Sequence, residues 1–360
     1  MKKTIKYIAL FLNILAVLLL LGACMAPRIN PEKAPFLAFW GLIMPYSLII
    51  NVAFIFYWVL KARFYFAISL IAMLIAWPTT QTSFPYNRKT THTDGDLRIM
   101  SYNVRVFDRY NWSQEKNTVS DMIRFIKAQD ADILCLQEFG VATTFGDGVT
   151  EDFILNSFAE FPHHYIHYNP KSRTKRYKQG LAILSRYPIV NEGSEKDLNL
   201  PRGNSIFADI NVKGRQLRVI NAHFESIHFS NKYDIIEGID SENYKTRIKG
   251  AIKSINQAAI KHSQSAETIK SISSSSPHPV VLCVDLNNTP ISYSYHSISK
   301  LLEDTYLVNS TGFGSTYNGH YPFLRIDYIF QSPELKVADY KRHKVNYSDH
   351  YPIIVDLNFD

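Results

Sequence analysis

Cysteine is scarce in this chain: three residues in 360, at positions 24, 135 and 283. Cys24, Cys135 and Cys283 form no disulfide framework and no zinc-ligand spacing, which excludes a disulfide-stapled scaffold and a zinc-ribbon module. Cys135 and Cys283 lie in apolar strand-like runs and read as small core residues, so the redox compartment stays open. Acid is nearly missing from the first quarter. Residues 1–90 hold nine Lys/Arg and one Asp/Glu, whereas residues 91–360 hold 30 basic and 31 acidic side chains. The formal net charge of +7 therefore belongs to the N-terminal segment. A basic whole-surface footprint for non-specific polyanion binding is excluded for the rest. No internal repeat recurs at a fixed period.

What residues 1–77 do contain is long apolar runs. Ile5–Met25 follows Lys2, Lys3 and Lys6 and has the length to cross a bilayer. Residues 36–60 make a second span, with Trp40, Tyr57 and Trp58 near its ends as interfacial aromatics. Residues 64–77 are a third, shorter run, set off from the second by Lys61 and Arg63. If all three span, the basic clusters share the cytoplasmic side and the remainder lies outside; if the third only dips into the interface, the remainder is cytoplasmic. We take the first reading: a multi-pass protein of a bacterial inner membrane with an extracytoplasmic domain. Leu21-Gly22-Ala23-Cys24 also resembles a lipobox, but a small-residue helix end is the simpler reading because further spans follow.

Residues 78–96, rich in Thr and Pro and lacking apolar periodicity, read as an exposed linker. From 97 to 360 short β-rich runs alternate with helical stretches, which predicts an α/β domain. Strands are expected at 98–104, 133–137, 181–185, 205–212, 217–223, 280–284, 328–330 and 353–357. Val119, Met122, Ile123 and Ile126 make one helical stripe, capped by Thr118 or Ser120, and residues 244–260 a second. The serine-rich stretch 263–278 reads as a flexible loop.

Polar residues gather where these strands end. Singly, each has an ordinary explanation. Asn103 is a common turn residue, His223 a common core histidine, Asp285-Leu286-Asn287 a common Asx turn, and Asp327 has Arg325 beside it. Glu138 is less easily dismissed, because a carboxylate closing the apolar run 133–137 is costly to desolvate without a cation. Asp285 and Asn287 flank one residue and point to one side of an extended segment. Asp349 and His350 sit on the bend before the last strand, where both can converge on one ligand. Oxygen donors and one imidazole are what a magnesium-dependent phosphodiester hydrolase needs.

Seven blocks in this order resemble the endonuclease/exonuclease/phosphatase superfamily, the deoxyribonuclease I-like fold. They are Met100 to Arg105, Ile133 to Glu138, Gly180 to Pro188, Asn221-Ala222-His223, Val284 to Asn287, Ile326-Asp327-Tyr328 and Ser348-Asp349-His350. The resemblance covers residues 97–360. It implies a four-layer α-β-β-α sandwich of two mixed sheets, here preceded by transmembrane helices, with the site at the sandwich rim. It further implies that Glu138 is the principal ligand of Mg²⁺ (Mn²⁺ being a substitute), with Asn103 and Asp349 completing the shell directly or through water. His350, oriented by Asp327, is implied to activate water or hold the scissile phosphate. Asp285 is implied to position or deprotonate the nucleophile or to protonate the leaving oxygen. Asn287 is implied to donate to a phosphoryl oxygen, and His223 to contact phosphate, although no acidic partner for His223 is evident. Val284 and Leu286 depart from the family's usual glycine and aromatic. Arg105 stands where abasic-site repair members carry an acidic ligand, which points away from a repair enzyme.

The substrate is less legible. Lys171, Arg173, Lys175, Arg176 and Lys178 form either a solvated loop or a handle for an anionic backbone or headgroup. On the second reading Arg176 and Lys178, with Arg105, contact substrate. Residues 226–242, with Phe229, Tyr233, Ile235 and Ile236, read as a substrate-facing flap. The expectation is a membrane-anchored, Mg²⁺-dependent phosphoesterase acting on a phosphodiester, nuclease-like first and a lipid or inositol-phosphate esterase second. Its partners are that substrate and the lipid bilayer. A catalytically silent, membrane-tethered binding module is the alternative of a different class.

Overall fold

The computed structural model describes residues 2–86, 95–114, 117–144, 148–170, 174, 176–200, 204–226, 244–319 and 323–359. The chain divides into two compact units. One, the helical unit, draws on Met1–Phe84, Glu225–Ser263 and Thr289–Ser297; the other, the sheet unit, draws on Pro85–Phe224, Gln264–Asn288 and Ile298–Asp360.

The helical unit contains α1 (Lys2–Met25), α2 (Leu37–Leu42), α3 (Met44–Leu60) and α4 (Phe66–Ser83). The run expected as one span over 36–60 is therefore two helices. Pro45 opens α3 in its first turn, where its missing N–H is harmless, and the chain restarts there instead of continuing α2. The third run is longer than its apolar stretch, because α4 continues through Pro78 to Ser83. Beyond Pro78, Thr80 and Thr82 hydroxyls donate to the carbonyls of Ala76 (2.9 Å) and Thr79 (2.8 Å). Six residues expected in the linker are thus helical, and residues 87–94 of it lie outside the described residues.

The helices bury polar groups and expose apolar ones. Asn13 Nδ2 donates to Ser69 Oγ (2.6 Å), Ser69 Oγ to Asn51 Oδ1 (2.8 Å), and Trp58 Nε1 to Asn13 Oδ1 (2.9 Å). Asn51 Nδ2 reaches the carbonyls of Ala16 and Ser47. This network joins α1, α3 and α4, and each buried amide in it is satisfied. Outside, 24 of the 32 exposed large hydrophobics among the described residues precede residue 84, the reverse of a water-soluble bundle. Lys3–Met25 is the one described helix long and apolar enough to cross a membrane alone; Met44–Leu60 and Phe66–Gln81 are shorter apolar helices. Cys24 is buried in the last turn of α1.

The sheet unit is built on twelve strands: β1 (Leu97–Asn103), β2 (Ile133–Ala142), β3 (His163–Tyr168), β4 (Tyr177–Ser185), β5 (Ile189–Ser194), β6 (Ser205–Val212), β7 (Arg215–His223), β8 (Val280–Asp285), β9 (Glu303–Asp304), β10 (Asp327–Gln331), β11 (Leu335–Arg342) and β12 (Ile353–Phe359). The further helical elements are α5 (Arg105–Asp108), α6 (Thr118–Ala128), α7 (Glu151–Ser157), α8 (Tyr244–Ser274), α9 (Tyr293–Ile298) and α10 (Thr305–Asn309). One sheet runs β11-β12-β1-β2-β4-β3, the other β5-β6-β7-β8-β10-β9. Ile99, Ile133, Cys135, Ile183, Ile206, Val219, Val281, Cys283 and Val355 fill the space between the sheets. Met122, Ile123 and Ile126 of α6 and Ile154 of α7 cover the outer face of the first sheet, against Met100, Tyr102, Leu134 and Leu136. Ala266, Ile269 and Ile272 of α8 are buried, and Ile272 accepts a hydrogen bond from Arg218 of β7. These are the expected four layers of an α-β-β-α sandwich.

Residues 263–274 of the expected loop over 263–278 are instead the C-terminal part of α8, and 275–278 lie outside it. Its serines do not break the helix because Ser263, Ser271 and Ser273 hydroxyls donate back to the carbonyls of Ile260, Glu267 and Ile269. Helix α6 begins at Asn117 without a side-chain cap, so neither Thr118 nor Ser120 serves that role. Each sheet contains one parallel pair, β1 with β2 and β7 with β8. Parallel neighbours end on the same side, and that brings Asn103 beside β2 and His223 beside Asp285. The antiparallel β10 starts where β8 ends, with Asp327 opposite Asp285.

Candidate metal and phosphate site

Glu138 is not at a strand terminus, as expected, but within β2, at a register shift between Leu136 and Phe139. Its φ is +49°, and this β-bulge turns the side chain out of the regular alternation. Asn103, closing β1, donates through Nδ2 to Glu138 Oε1 (3.2 Å) and Asp285 Oδ2 (2.9 Å). Its Oδ1 accepts the Arg105 N–H at 3.0 Å. Arg105 opens a left-handed turn, with φ between +46° and +55° at Arg105, Val106, Phe107 and Asp108. Such a turn strains residues that carry a Cβ by about 1–2 kcal/mol each. Gly140 makes room for it, since a Cβ there would meet Val106 Cγ1 at 2.3 Å. The turn aims Arg105 at Asp349, 2.8 Å away, and lays its guanidinium 5.6 Å from the Trp112 ring centre.

Before β12, the Ser348 hydroxyl donates to the Asn103 carbonyl (2.8 Å) and accepts the His350 N–H (3.2 Å). This ties the Asp349-His350 bend to the end of β1. His350 Nδ1 lies 2.9 Å from Asp327 Oδ2 and 3.8 Å from Asp285 Oδ2. Asp327 does not pair with Arg325, whose guanidinium is buried against Asp304. His223 Nε2 lies 3.7 Å from Glu138 Oε1 and 3.6 Å from Asp285 Oδ2, so the acidic partner missing from the sequence comes from two other strands. Asn287 forms the Asx turn, its N–H donating to Asp285 Oδ1 at 2.8 Å with φ +46°. Its Nδ2 also donates to the Phe224 carbonyl (2.9 Å) and lies 3.2 Å from His223 Nε2. The structural and the chemical readings of Asp285-Leu286-Asn287 thus hold together.

Eight expected residues, Asn103, Glu138, His223, Asp285, Asn287, Asp327, Asp349 and His350, are linked in one chain of contacts, and Arg105 joins it. Lys178 does not join as a free cation: it is ion-paired with Glu151 and lies 4.1 Å from the Tyr168 ring centre. Arg176 is exposed. Lys171, Arg173, Lys175, Phe229, Tyr233, Ile235 and Ile236 lie outside the described residues. Sequence reading missed the support: Thr316, whose hydroxyl takes the N–H groups of Ile326 and Asp327, and the Phe224 carbonyl. Neither carries a local signal, because each acts through a partner distant in sequence.

Burial raises Asp327 to about 6, against the pull of His350. Burial alone would lower His350, but Asp327 and Asp285 overcome it and hold the imidazole well above its usual value. Among the described residues, the ligand atoms of Asp285, Asp327 and His350 lie within 4.8 Å of one another. With its Nδ1 bonded to Asp327, which favours the protonated form, His350 fits a hydrogen-bond donor better than a metal ligand. Four carboxylates, Glu138, Asp285, Asp327 and Asp349, face the guanidinium of Arg105 and the imidazoles of His223 and His350. That deficit of positive charge, on hard oxygen donors, fits a divalent cation, with Glu138, Asn103 and Asp349 among the residues able to hold it.

The profile of the Endonuclease/Exonuclease/phosphatase family matches residues 100–350, and a domain of unknown function matches residues 5–83. Among solved structures, an endonuclease/exonuclease/phosphatase family protein from Leptotrichia buccalis has a TM-score of 0.50 at 19% identity, covering 73% of this chain and 100% of that one. One from Bacteroides vulgatus has a TM-score of 0.50 at 18% identity, covering 74% and 100%. One from Beutenbergia cavernae has a TM-score of 0.50 at 15% identity, covering 73% and 71%. At these identities the likeness is one of fold. No match was found among curated proteins.

Proposed function

Because the chain belongs to the endonuclease/exonuclease/phosphatase family, we propose that it is a membrane-anchored, metal-dependent phosphoesterase acting on phosphodiesters, nuclease-like in its first substrate class. The observation that carries this reading is the convergence of Asn103, Glu138, His223, Asp285 and His350 from four strands and one bend, with distances of 2.9–3.8 Å linking neighbours. Mg²⁺, held by Glu138 with Asn103 and Asp349, would supply charge neutralisation at the phosphate. His350, oriented by Asp327, donates to a non-bridging phosphoryl oxygen as negative charge builds there. Asp285 orients the attacking water and accepts its proton. Asn287 donates to a second oxygen after exchanging its bond to His223, and His223 faces the leaving side. Arg105, released from Asp349, pairs with the phosphate.

The helices support the anchor and its sidedness. Lys6 lies 5.1 Å from the Tyr65 ring centre, Asn13 bonds Ser69, and Arg28 Nη1 reaches Thr79 Oγ1 at 3.4 Å, so α1 and α4 run parallel. Trp58 against Asn13 and Asn51 against Ala16 make α3 antiparallel to both. Lys3, Lys6, Lys61 and Arg63 then share one end of the bundle and Ser83 lies at the other. With the basic end cytoplasmic, the sheet unit begins outside. A lipid or inositol-phosphate ester is the second substrate reading, favoured by the apolar exterior of these helices.

The test is full-length protein in detergent micelles against supercoiled DNA, RNA, sphingomyelin, inositol phosphates and bis(4-nitrophenyl) phosphate. Hydrolysis of at least one is expected with Mg²⁺, lost in EDTA and restored by Mg²⁺ or Mn²⁺. Activity indifferent to EDTA, or no hydrolysis anywhere in the panel, would sink the reading.

A further inference from the structure

Residues 105–113, α5 and the turn that follows it, form a braced hook that lies wholly within the sheet unit. The backbone φ is positive at Arg105, Val106, Phe107 and Asp108, and again at Asn111 (+51°). Backbone of this kind persists only where its surroundings hold it, and the hook is held at both ends. Val106 and Phe107 are buried, the Phe107 ring centre 5.6 Å from that of Phe139 in β2. Asp108 is buried too. Its carboxylate accepts the N–H groups of Trp112 (2.8 Å) and Ser113 (3.3 Å), and its carbonyl accepts that of Asn111 (2.8 Å). The Ser113 hydroxyl, bonded to the same carboxylate, lies 2.7 Å from the Thr118 hydroxyl of α6.

What this hook presents is aromatic and cationic. Arg105 reaches both Asp349, at 2.8 Å, and Trp112, whose ring centre is 5.6 Å from the guanidinium carbon. One guanidinium therefore separates the indole from a carboxylate of the metal and phosphate site. Arg109 is exposed and lies over the Tyr177 ring that opens β4, 3.1 Å from its centre. Tyr110, 66% exposed, has its ring centre 5.5 Å from the same guanidinium. Guanidinium groups beside these rings oppose a quaternary ammonium headgroup, which would need the rings' electron-rich faces. Residues 91–360 carry 30 basic and 31 acidic side chains, no surplus with which to grip a duplex along its backbone. Flat rings and guanidinium planes suit unstacked bases, which a single strand supplies and a duplex does not.

We propose that Tyr110 and Trp112, with Arg105 and Arg109 beside them, form a base-stacking subsite next to the metal and phosphate site, and that the substrate is single-stranded nucleic acid. This rests on the phosphoesterase reading for the position of the phosphate; the stacking itself needs no reaction. Arg105 takes the phosphate, the adjoining base lies on Trp112, and Tyr110 takes a further base along the strand. The bracing through Asp108 holds these groups in place before the strand arrives, so little ordering is left to oppose binding.

The experiment titrates full-length protein in detergent micelles, with EDTA present, against fluorescein-labelled strands of equal length: oligothymidylate, oligouridylate and an abasic strand of the same charge. Fluorescence anisotropy reads the Kd of each. Wild type is expected to bind at least one base-bearing strand about 5- to 150-fold more tightly than the abasic one. The larger of the two ratios names the strand as DNA or RNA. Tyr110→Ala and Trp112→Ala are each expected to cut that ratio by about five-fold or more, and Trp112→Phe, which keeps a ring, to retain most of it. Tyr110 is exposed, so its removal spares the core even if Trp112→Ala disturbs the hook. A wild-type ratio near one overturns the proposal, as does a ratio unchanged in both alanine variants. So does a loss in those variants confined to sphingomyelin hydrolysis, which would make the rings a lipid contact. If wild type hydrolyses no phosphodiester while the ratio holds, the phosphoesterase reading fails and the subsite stands. If wild type hydrolyses bis(4-nitrophenyl) phosphate with Mg²⁺ but the ratio is near one, the subsite fails and that reading stands.

Discussion

At the scale of single residues, His350 is 5% exposed, and Asp327 and Asp285 beside it hold its imidazole well above the usual value against the pull of burial. On the proposed reading, a buried donor facing the phosphate supplies charge stabilisation without reorganisation. His350→Ala is therefore expected to lower phosphodiester hydrolysis by about 10²–10³-fold, with circular dichroism and thermal melting of the full-length protein close to wild type. Turnover near the wild-type rate in a folded variant would remove His350 from the chemistry. The sequence made most of this centre legible, because Asp285, Asn287, Asp349 and His350 crowd into two short blocks. It hid the partner of His223, since Glu138 reaches it only through a bulge on another strand. Lys178 misled for the opposite reason: a cation in a basic run carries no mark of the Glu151 that neutralises it.

At the scale of elements, β6 and β7 are joined by a buried ion pair, Arg218 with Asp209 at 2.7 Å, with Asn191 of β5 donating to the same carboxylate at 2.8 Å. Burial would raise Asp209, but the bonds from Arg218 and Asn191 outweigh it and hold the carboxyl below its usual 3.8. The sign follows from linkage. A depressed native value means the stabilisation is present above about pH 3.8 and is lost as the pH falls through the lower native value. Asp209→Asn should destabilise the fold by about 3–5 kcal/mol near neutral pH, since Arg218 is left buried without its counter-charge. Denaturant titration should also find the difference from wild type shrinking as the pH drops below about 3.8. A constant difference across that range would show that the pair is not ionised in the native state. Strands with an unbroken apolar run, such as β2 and β8, were readable from sequence. The strands β3, β5, β9 and β11 were not, because these edge strands lack that run, and the part of α8 beyond the helix expected over 244–260 was obscured by serines whose hydroxyls fold back onto its own carbonyls.

At the scale of the whole molecule, the two units carry different solvents' signatures, apolar-out for the helices and apolar-in for the sheets. On the proposed anchor, the parallel course of α1 and α4 makes an odd number of crossings before the sheet unit begins. An alkaline phosphatase fusion at residue 90 should accordingly be active in a bacterial host and a green fluorescent protein fusion there dark; the converse pattern would put the sheet unit in the cytoplasm. The three helices were anticipated as apolar runs, but their lengths were not, since Pro45 and Pro78 act in opposite ways on the two later ones. The bulge in β2 has a reach beyond its own ligand. Ile133 and Cys135 point between the sheets and Leu134 and Leu136 point outward, so strict alternation would send Phe139 and Val141 inward; both instead join the outer layer. The supernumerary residue is a phase shift in the strand. Deleting it would withdraw a carboxylate from the rim and, in the same stroke, swap which side of the sheet every later residue of β2 dresses, so the chemistry and the outer helical coat share one reading frame.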